Sequence, residues 1–191
     1  MRRVLKFPDP AASNRPAPIG HNGGPPFDVT WTAWVWRRAH AEAWKSPGRE
    51  IVMLRLRRAG RLGLGYRDYT SVILDRGVHL GGLIIVVDGA LLQFEADILR
   101  KLDILHDCAI ALWTDGVSLP GSFHRNASHV SEAPVDDAAL AEAMRGLCAR
   151  TQLTPSQFCM IGTKARHARV ASRAGVGLFL PAGEYFAVPL S

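Results

Sequence analysis

With 191 residues and 48% apolar content, the chain is long enough to bury one good core and a small second unit. No apolar stretch reaches the ~18–20 residues of a bilayer-crossing helix, so the sequence offers no candidate membrane span. The formal charge of +6 is uneven: residues 1–80 hold fourteen Arg and Lys against six Asp and Glu, and residues 81–191 hold nine against eleven. A basic first part points to an anionic partner such as nucleic acid, or to an acidic protein surface. Cys108, Cys148 and Cys159 lack CxxC spacing and sit in apolar segments, which reads as buried reduced thiols. Arg2, Arg3 and Lys6 have no apolar run behind them, so a secretory leader is not expected and a cytoplasmic protein is.

Residues 1–28 are rich in Pro, Gly, Ala and Asn and read as a flexible arm. From Asp28 or Thr30, either a suitable cap, a helix is expected over about 30–45. It carries Trp31, Trp34, Trp36 and Trp44, four of the five tryptophans. Trp31, Trp34 and Val35 fall on one face, which reads as packing; beside Arg37 and Arg38 the rings could also stack on bases.

Ser46-Pro47-Gly48 breaks the chain, and 48–62 reads as a basic amphipathic helix. Ile51, Leu54 and Leu62 are expected inward, with Arg55, Arg57, Arg58 and Arg61 supplying charge. Gly63-Leu64-Gly65 ends it, and 66–74 reads as a third helix stopped by Gly77. Together 29–80 form a basic, Trp-rich helical unit. Helix, tight turn and short helix over 48–77 also outline a helix-turn-helix, placing Tyr66, Arg67 and Thr70 near the start of a recognition helix. Packing units share that outline, so a docking surface for the rest of the chain explains it as well.

From Gly81 onward strands and helices alternate. Strands are expected at 83–88, 108–114, 157–161 and 176–180, with helices over 93–106, 136–150 and 164–174. Phe94, Ile98, Leu102 and Leu105 share one face of the first of these helices. This succession implies an α/β fold with a parallel Rossmann-like sheet covered on both faces. Its crevice would lie at the carboxyl ends of the strands. Residues 117–134, with His124 and His129, are expected as a loop over that crevice.

Three segments in this half carry a resemblance. Residues 83–92 read Leu-Ile-Ile-Val-Val-Asp-Gly-Ala-Leu-Leu; 111–116 read Ala-Leu-Trp-Thr-Asp-Gly; 160–167 read Met-Ile-Gly-Thr-Lys-Ala-Arg-His, followed by Ala174-Gly175-Val176. In this order, over about 81–181, they resemble the motifs of the haloacid dehalogenase-like phosphatases. The resemblance implies a domain over 81–191 without a large cap. It places Asp88 at the family's acid/base position and Thr114 at its phosphate-binding position. The nucleophile's position holds Val86, and the metal-binding carboxylate positions hold Thr163 and His167. A valine can neither attack phosphorus nor bind Mg²⁺, a hard cation that needs oxygen ligands.

No catalytic residue is therefore assigned, and neither Mg²⁺ nor another cofactor is expected. The expected role is that of an inactive binding or regulatory module. A phosphorylated small molecule could bind at Asp88, Thr114, Thr163 and Lys164, and a protein or nucleic acid at Arg55, Arg58, Arg61 and Arg67. Three alternatives stay open: a DNA-binding regulator acting through 48–77, an unconventional phosphatase using Asp88 and Asp115, and a subunit of a larger assembly.

Overall fold

The computed structural model describes residues 47–125 and 127–187. The expected arm (1–28) and the expected tryptophan helix (30–45) lie outside these residues. The described elements run α1 (Arg49–Arg61), α2 (Tyr66–Arg76), β1 (Gly82–Asp88), α3 (Gly89–Leu92), α4 (Glu95–Asp103), β2 (Ala109–Asp115), β3 (His129–Glu132), α5 (Asp137–Thr151), β4 (Phe158–Gly162), α6 (Ala165–Arg173), β5 (Leu178–Pro181) and α7 (Ala182–Phe186). Short 3₁₀ turns occupy Gly121–Arg125 and Pro155–Gln157.

The five strands form one parallel sheet in the order β3-β2-β1-β4-β5. β1 is central and buried along its whole length. An uninterrupted Gly-Leu-Ile-Ile-Val-Val-Asp run suits a strand with helices on both faces, because neither face meets water. Alternation along β1 divides the interior. Leu83, Ile85 and Val87 pack with Leu91, Ile98, Leu102, Ile110, Leu112 and Ile161 on one side. Ile84 and Val86 pack with Trp113, Leu140, Met144, Met160 and Ala171 on the other. No large inserted domain separates β1 from β2.

Ala59, Leu62 and Leu64 of α1 and its turn, and Tyr69 and Val72 of α2, belong to the first of these clusters. The described part of the expected helical unit thus shares a core with the sheet. Tyr185 on α7 ties the junction by donating its hydroxyl to the Leu62 carbonyl at 2.8 Å.

Several details correct the sequence-based expectations. Ile51 and Leu54 do not face inward but are 48% and 47% exposed. Only the end of α1 reaches the core, through Ala59 and Leu62. The helix expected over 93–106 is present but shorter, as α4 (Glu95–Asp103), and a separate turn, α3 (Gly89–Leu92), precedes it. Residues 117–134 are not all loop, since His129–Glu132 pair with β2 as the edge strand β3. An edge strand of four mostly polar residues lacks the apolar run that marked β1. The terminal helix α7 was not anticipated.

Gly177 lets the backbone before β5 lie against the 3₁₀ turn ahead of β4. A Cβ there would stand 2.1 Å from the Ser156 carbonyl oxygen. Backbone must then move, so Gly177→Ala is expected to lose roughly 1–3 kcal/mol of stability, as overpacked cores do. Urea denaturation checks it, and an unchanged midpoint would contradict the tight contact.

Candidate functional site

The expected crevice forms where β1, β2 and β4 end. In an open α/β sheet the strand order reverses beside the first strand, and ligands bind at that switch point. Here it lies between β1 and β4, with Asp88 closing one strand and Thr163 following the other.

Asp88 is fully buried. Its Oδ1 accepts the Leu91 backbone N–H at 3.0 Å and so caps α3. Its Oδ2 accepts the Thr163 hydroxyl and lies 3.1 Å from the Lys164 ammonium. Burial, the largest influence, pushes this carboxyl up. The hydrogen bonds from Thr163, Leu91 and Lys164, with the lysine's charge, outweigh it and hold the pKa below the usual carboxylate value.

Asp115 stands beside it. Parallel pairing puts Asp88 and Asp115 in register at the ends of β1 and β2. The Asp115 Oδ2 is 2.9 Å from Lys164 Nζ and 3.1 Å from His167 Nε2, and its Oδ1 pairs with Arg166. A single ammonium thus bridges both carboxylates.

His167, in the first turn of α6, is 3% exposed. Its Nδ1 accepts the backbone N–H groups of Thr163 at 3.2 Å and Lys164 at 3.4 Å. Those donors require a bare Nδ1, so the ring is the neutral tautomer whose Nε2–H donates to Asp115. The pKa is pushed down to about 4, first by burial and then by Arg166 and Lys164, with Asp88 opposing. Gly162 makes room for the ring, for a Cβ there would lie 2.6 Å from Nδ1.

The two carboxylates are balanced by Lys164 and Arg166, with His167 neutral, so the network closes without net charge. Asp88, Asp115 and His167 each offer a ligand atom within 4.8 Å of one another, and two oxygens with one imidazole suit a divalent cation. As folded, however, the ammonium lies on both carboxylates where such an ion would bridge them. The residues present do not fit a bound metal unless Lys164 leaves.

The other sequence-predicted residues are more scattered. Thr163 and Lys164 are in the network. Thr114 is half-buried one residue before Asp115, so strand alternation turns it to the opposite face, and it makes none of the network's contacts. Val86 is 2% exposed and packs in the second core cluster. Asp115, Arg166 and His167 did not stand among the expected binding residues. The available signal for them was charge complementarity: cations at 164 and 166 after one strand, and aspartates at 88 and 115 closing two others.

Arg55, Arg58 and Arg61 follow at three-residue spacing along one side of α1, whereas Arg67 lies on α2. Arg58 and Arg61 line a small cavity at the opposite, amino end of the sheet with His79, Asp107 and Gln157. Arg61 reaches Asp107 at 3.8 Å; burial and then Arg58 and Arg55 lower the His79 pKa, while burial raises that of Tyr69 against the pull of the same two arginines. Arg67 is exposed on α2. Thr70, expected near the start of a recognition helix, is instead 1% exposed and faces the core. His124 is exposed and His129 half-buried on β3.

In comparisons with known proteins, no family model matches the chain, and no curated protein or solved structure matches it.

Proposed function

We propose that the α/β unit is a haloacid dehalogenase-like domain that binds a small oxyanion at the carboxyl ends of its strands and does not hydrolyse it. The observation that carries this reading is the Lys164 ammonium, 3.1 Å from Asp88 Oδ2 and 2.9 Å from Asp115 Oδ2. Phosphoryl transfer needs a positioned nucleophile and cations that neutralise developing charge. Here both carboxylates already bear donors on each oxygen, and the tethered cation replaces a dissociable one. The three motif segments ending on β1, β2 and β4 support the family reading. A crevice whose own charges cancel suits a receptor or regulatory module, with the exposed arginines of α1 and α2 meeting an anionic or protein partner.

Thermal denaturation with inorganic phosphate, in EDTA or in Mg²⁺, tests this. Phosphate at ~100 times its Kd adds about 2.7 kcal/mol of stability, worth roughly 5 °C or more in a chain of this size. The rise is expected to be the same in EDTA and Mg²⁺. A shift with Mg²⁺ alone, or none with phosphate, would overturn the reading.

The register of Asp88 with Asp115 keeps one rival, an unconventional phosphatase in which Lys164 swings away and one carboxylate is freed. It predicts Mg²⁺-dependent turnover that disappears in Asp88→Asn. The DNA-binding alternative draws less from the structure, since Thr70 is buried and Asp68 and Asp75 share the exposed face of α2 with Arg67 and Arg76.

A further inference from the structure

Beside the network, a cavity of about 390 Å³ opens between the ends of β1 and β2 and helix α6. Val86 and Trp113, register partners on adjacent strands, lie behind it, only 2% and 1% exposed. One wall is Ala133, Pro134 and Val135, from the segment after β3. The other is Arg166, Arg169, Val170 and Arg173. These four follow i, i+3, i+4, i+7 spacing and so form one stripe of α6.

The three guanidiniums are not equivalent. Arg166 is paired with Asp115, and Arg173 with Asp137 at 3.0 Å. Arg169 makes no ion pair among the described residues, and no acidic side chain but the already paired Asp115 lines the cavity. The site therefore presents one uncompensated cation beside the apolar wall of Pro134, Val135 and Val170. Val86 stands where the phosphatase resemblance expects a carboxylate, so no charge at that position repels an anion.

We infer that this cavity binds an oxyanion carrying an apolar body, such as an aryl phosphate or aryl carboxylate, with the anion on Arg169 and the body against Pro134, Val135 and Val170. This deepens the proposed function and rests on it. A guanidinium matches either oxyanion through two parallel hydrogen bonds, so the shared chemistry is a planar or tetrahedral oxyanion on an apolar group. The accessible apolar wall supplies discrimination that bare phosphate cannot use, since burying carbon is what adds affinity there.

The test is calorimetric titration of the full chain with phenyl phosphate, benzoate and inorganic phosphate. Wild type, Arg169→Ala and Thr163→Val are compared. Arg169 is exposed, so its replacement leaves folding intact; the melting curve of each variant confirms this. At least one aryl anion should bind about tenfold or more tightly than inorganic phosphate. Arg169→Ala should lose roughly tenfold or more of that affinity, the loss expected for a charge-assisted contact. Which aryl anion binds tells whether the group is phosphate or carboxylate. Equal affinity for phenyl and inorganic phosphate, weakened by Thr163→Val but not by Arg169→Ala, would overturn the cavity proposal and leave the crevice reading standing. Binding of none of the three would overturn both.

Discussion

Lys164→Met is expected to lose about 1–2 kcal/mol of stability at pH 7 and to gain a response to divalent cations. Removing one partner of a fully buried ion pair costs roughly 3–5 kcal/mol. The Lys164 side chain is 47% exposed, so water screens part of the loss and the smaller figure applies. What remains is two adjacent carboxylates with no ammonium between them. Such a pair either shares a proton or takes up another cation. The stability gap from wild type should therefore narrow on acidification to pH 5. Millimolar Mn²⁺ should raise the variant's Tm and leave the wild type's unchanged. Calorimetric melts at the two pH values, with Mn²⁺ or EDTA, read both effects. A variant as stable as wild type and blind to Mn²⁺ would show that Lys164 does not hold a cation's place.

His167 should take up to about 3 kcal/mol from wild-type stability between pH 6.5 and 4, with His79 and His129, whose pKa values burial also lowers, adding in the same direction. The folded pKa of His167 is lowered to about 4 from 6.5. Between these values the unfolded chain binds the proton and the folded one does not, so stability rises with pH in that window. The contribution is fully present above pH 6.5 and is lost as pH falls toward 4. Protonating Nδ1 would set an N–H against the two backbone N–H groups it now accepts. Asp88 favours the charged ring and opposes the shift, and the lowered value already includes that opposition. The depressed pKa of Asp88 acts lower still: its contribution is present above the unfolded value of 3.8 and is lost as pH falls below it. Urea denaturation of wild type and His167→Gln at pH 7, 5 and 4 separates the two. The variant, which can still accept the backbone N–H groups, should show a flatter profile above pH 4. A profile as steep as wild type would place the titration elsewhere.

The legible parts of this fold are those where one physical signal dominates. β1, β2 and β4 are buried strands of a parallel sheet, and their unbroken apolar runs announce them. β3 has no such run, because an edge strand shields little and His129-Val130-Ser131-Glu132 reads as loop. The inward face of α1 was misplaced by the same reasoning that succeeded elsewhere. Ile51 and Leu54 have the right spacing, but the turn at Leu62–Gly65 brings only Ala59 and Leu62 onto the sheet.

In the crevice, Asp88 was legible because an aspartate closing an apolar strand is a local pattern. Asp115 entered only as a partner for an alternative chemistry. The role of Lys164 was not legible, since it depends on three strand ends converging and on a register that places Asp88 opposite Asp115. The phosphatase resemblance expects carboxylates at 86, 163 and 167, where the sequence has Val, Thr and His, with cations at 164 and 166. The sequence did not show that Lys164 would bridge Asp88 and Asp115.

The central claim is that this crevice binds an oxyanion without a metal and leaves it intact. A ³¹P NMR titration of phenyl phosphate with the full chain, in EDTA and then in excess Mg²⁺, reads binding and hydrolysis together. The account predicts a phosphorus resonance that broadens or shifts to the same extent in both conditions, with no orthophosphate signal after prolonged incubation. Orthophosphate growing in only after Mg²⁺ is added, or a resonance perturbed only then, would contradict it.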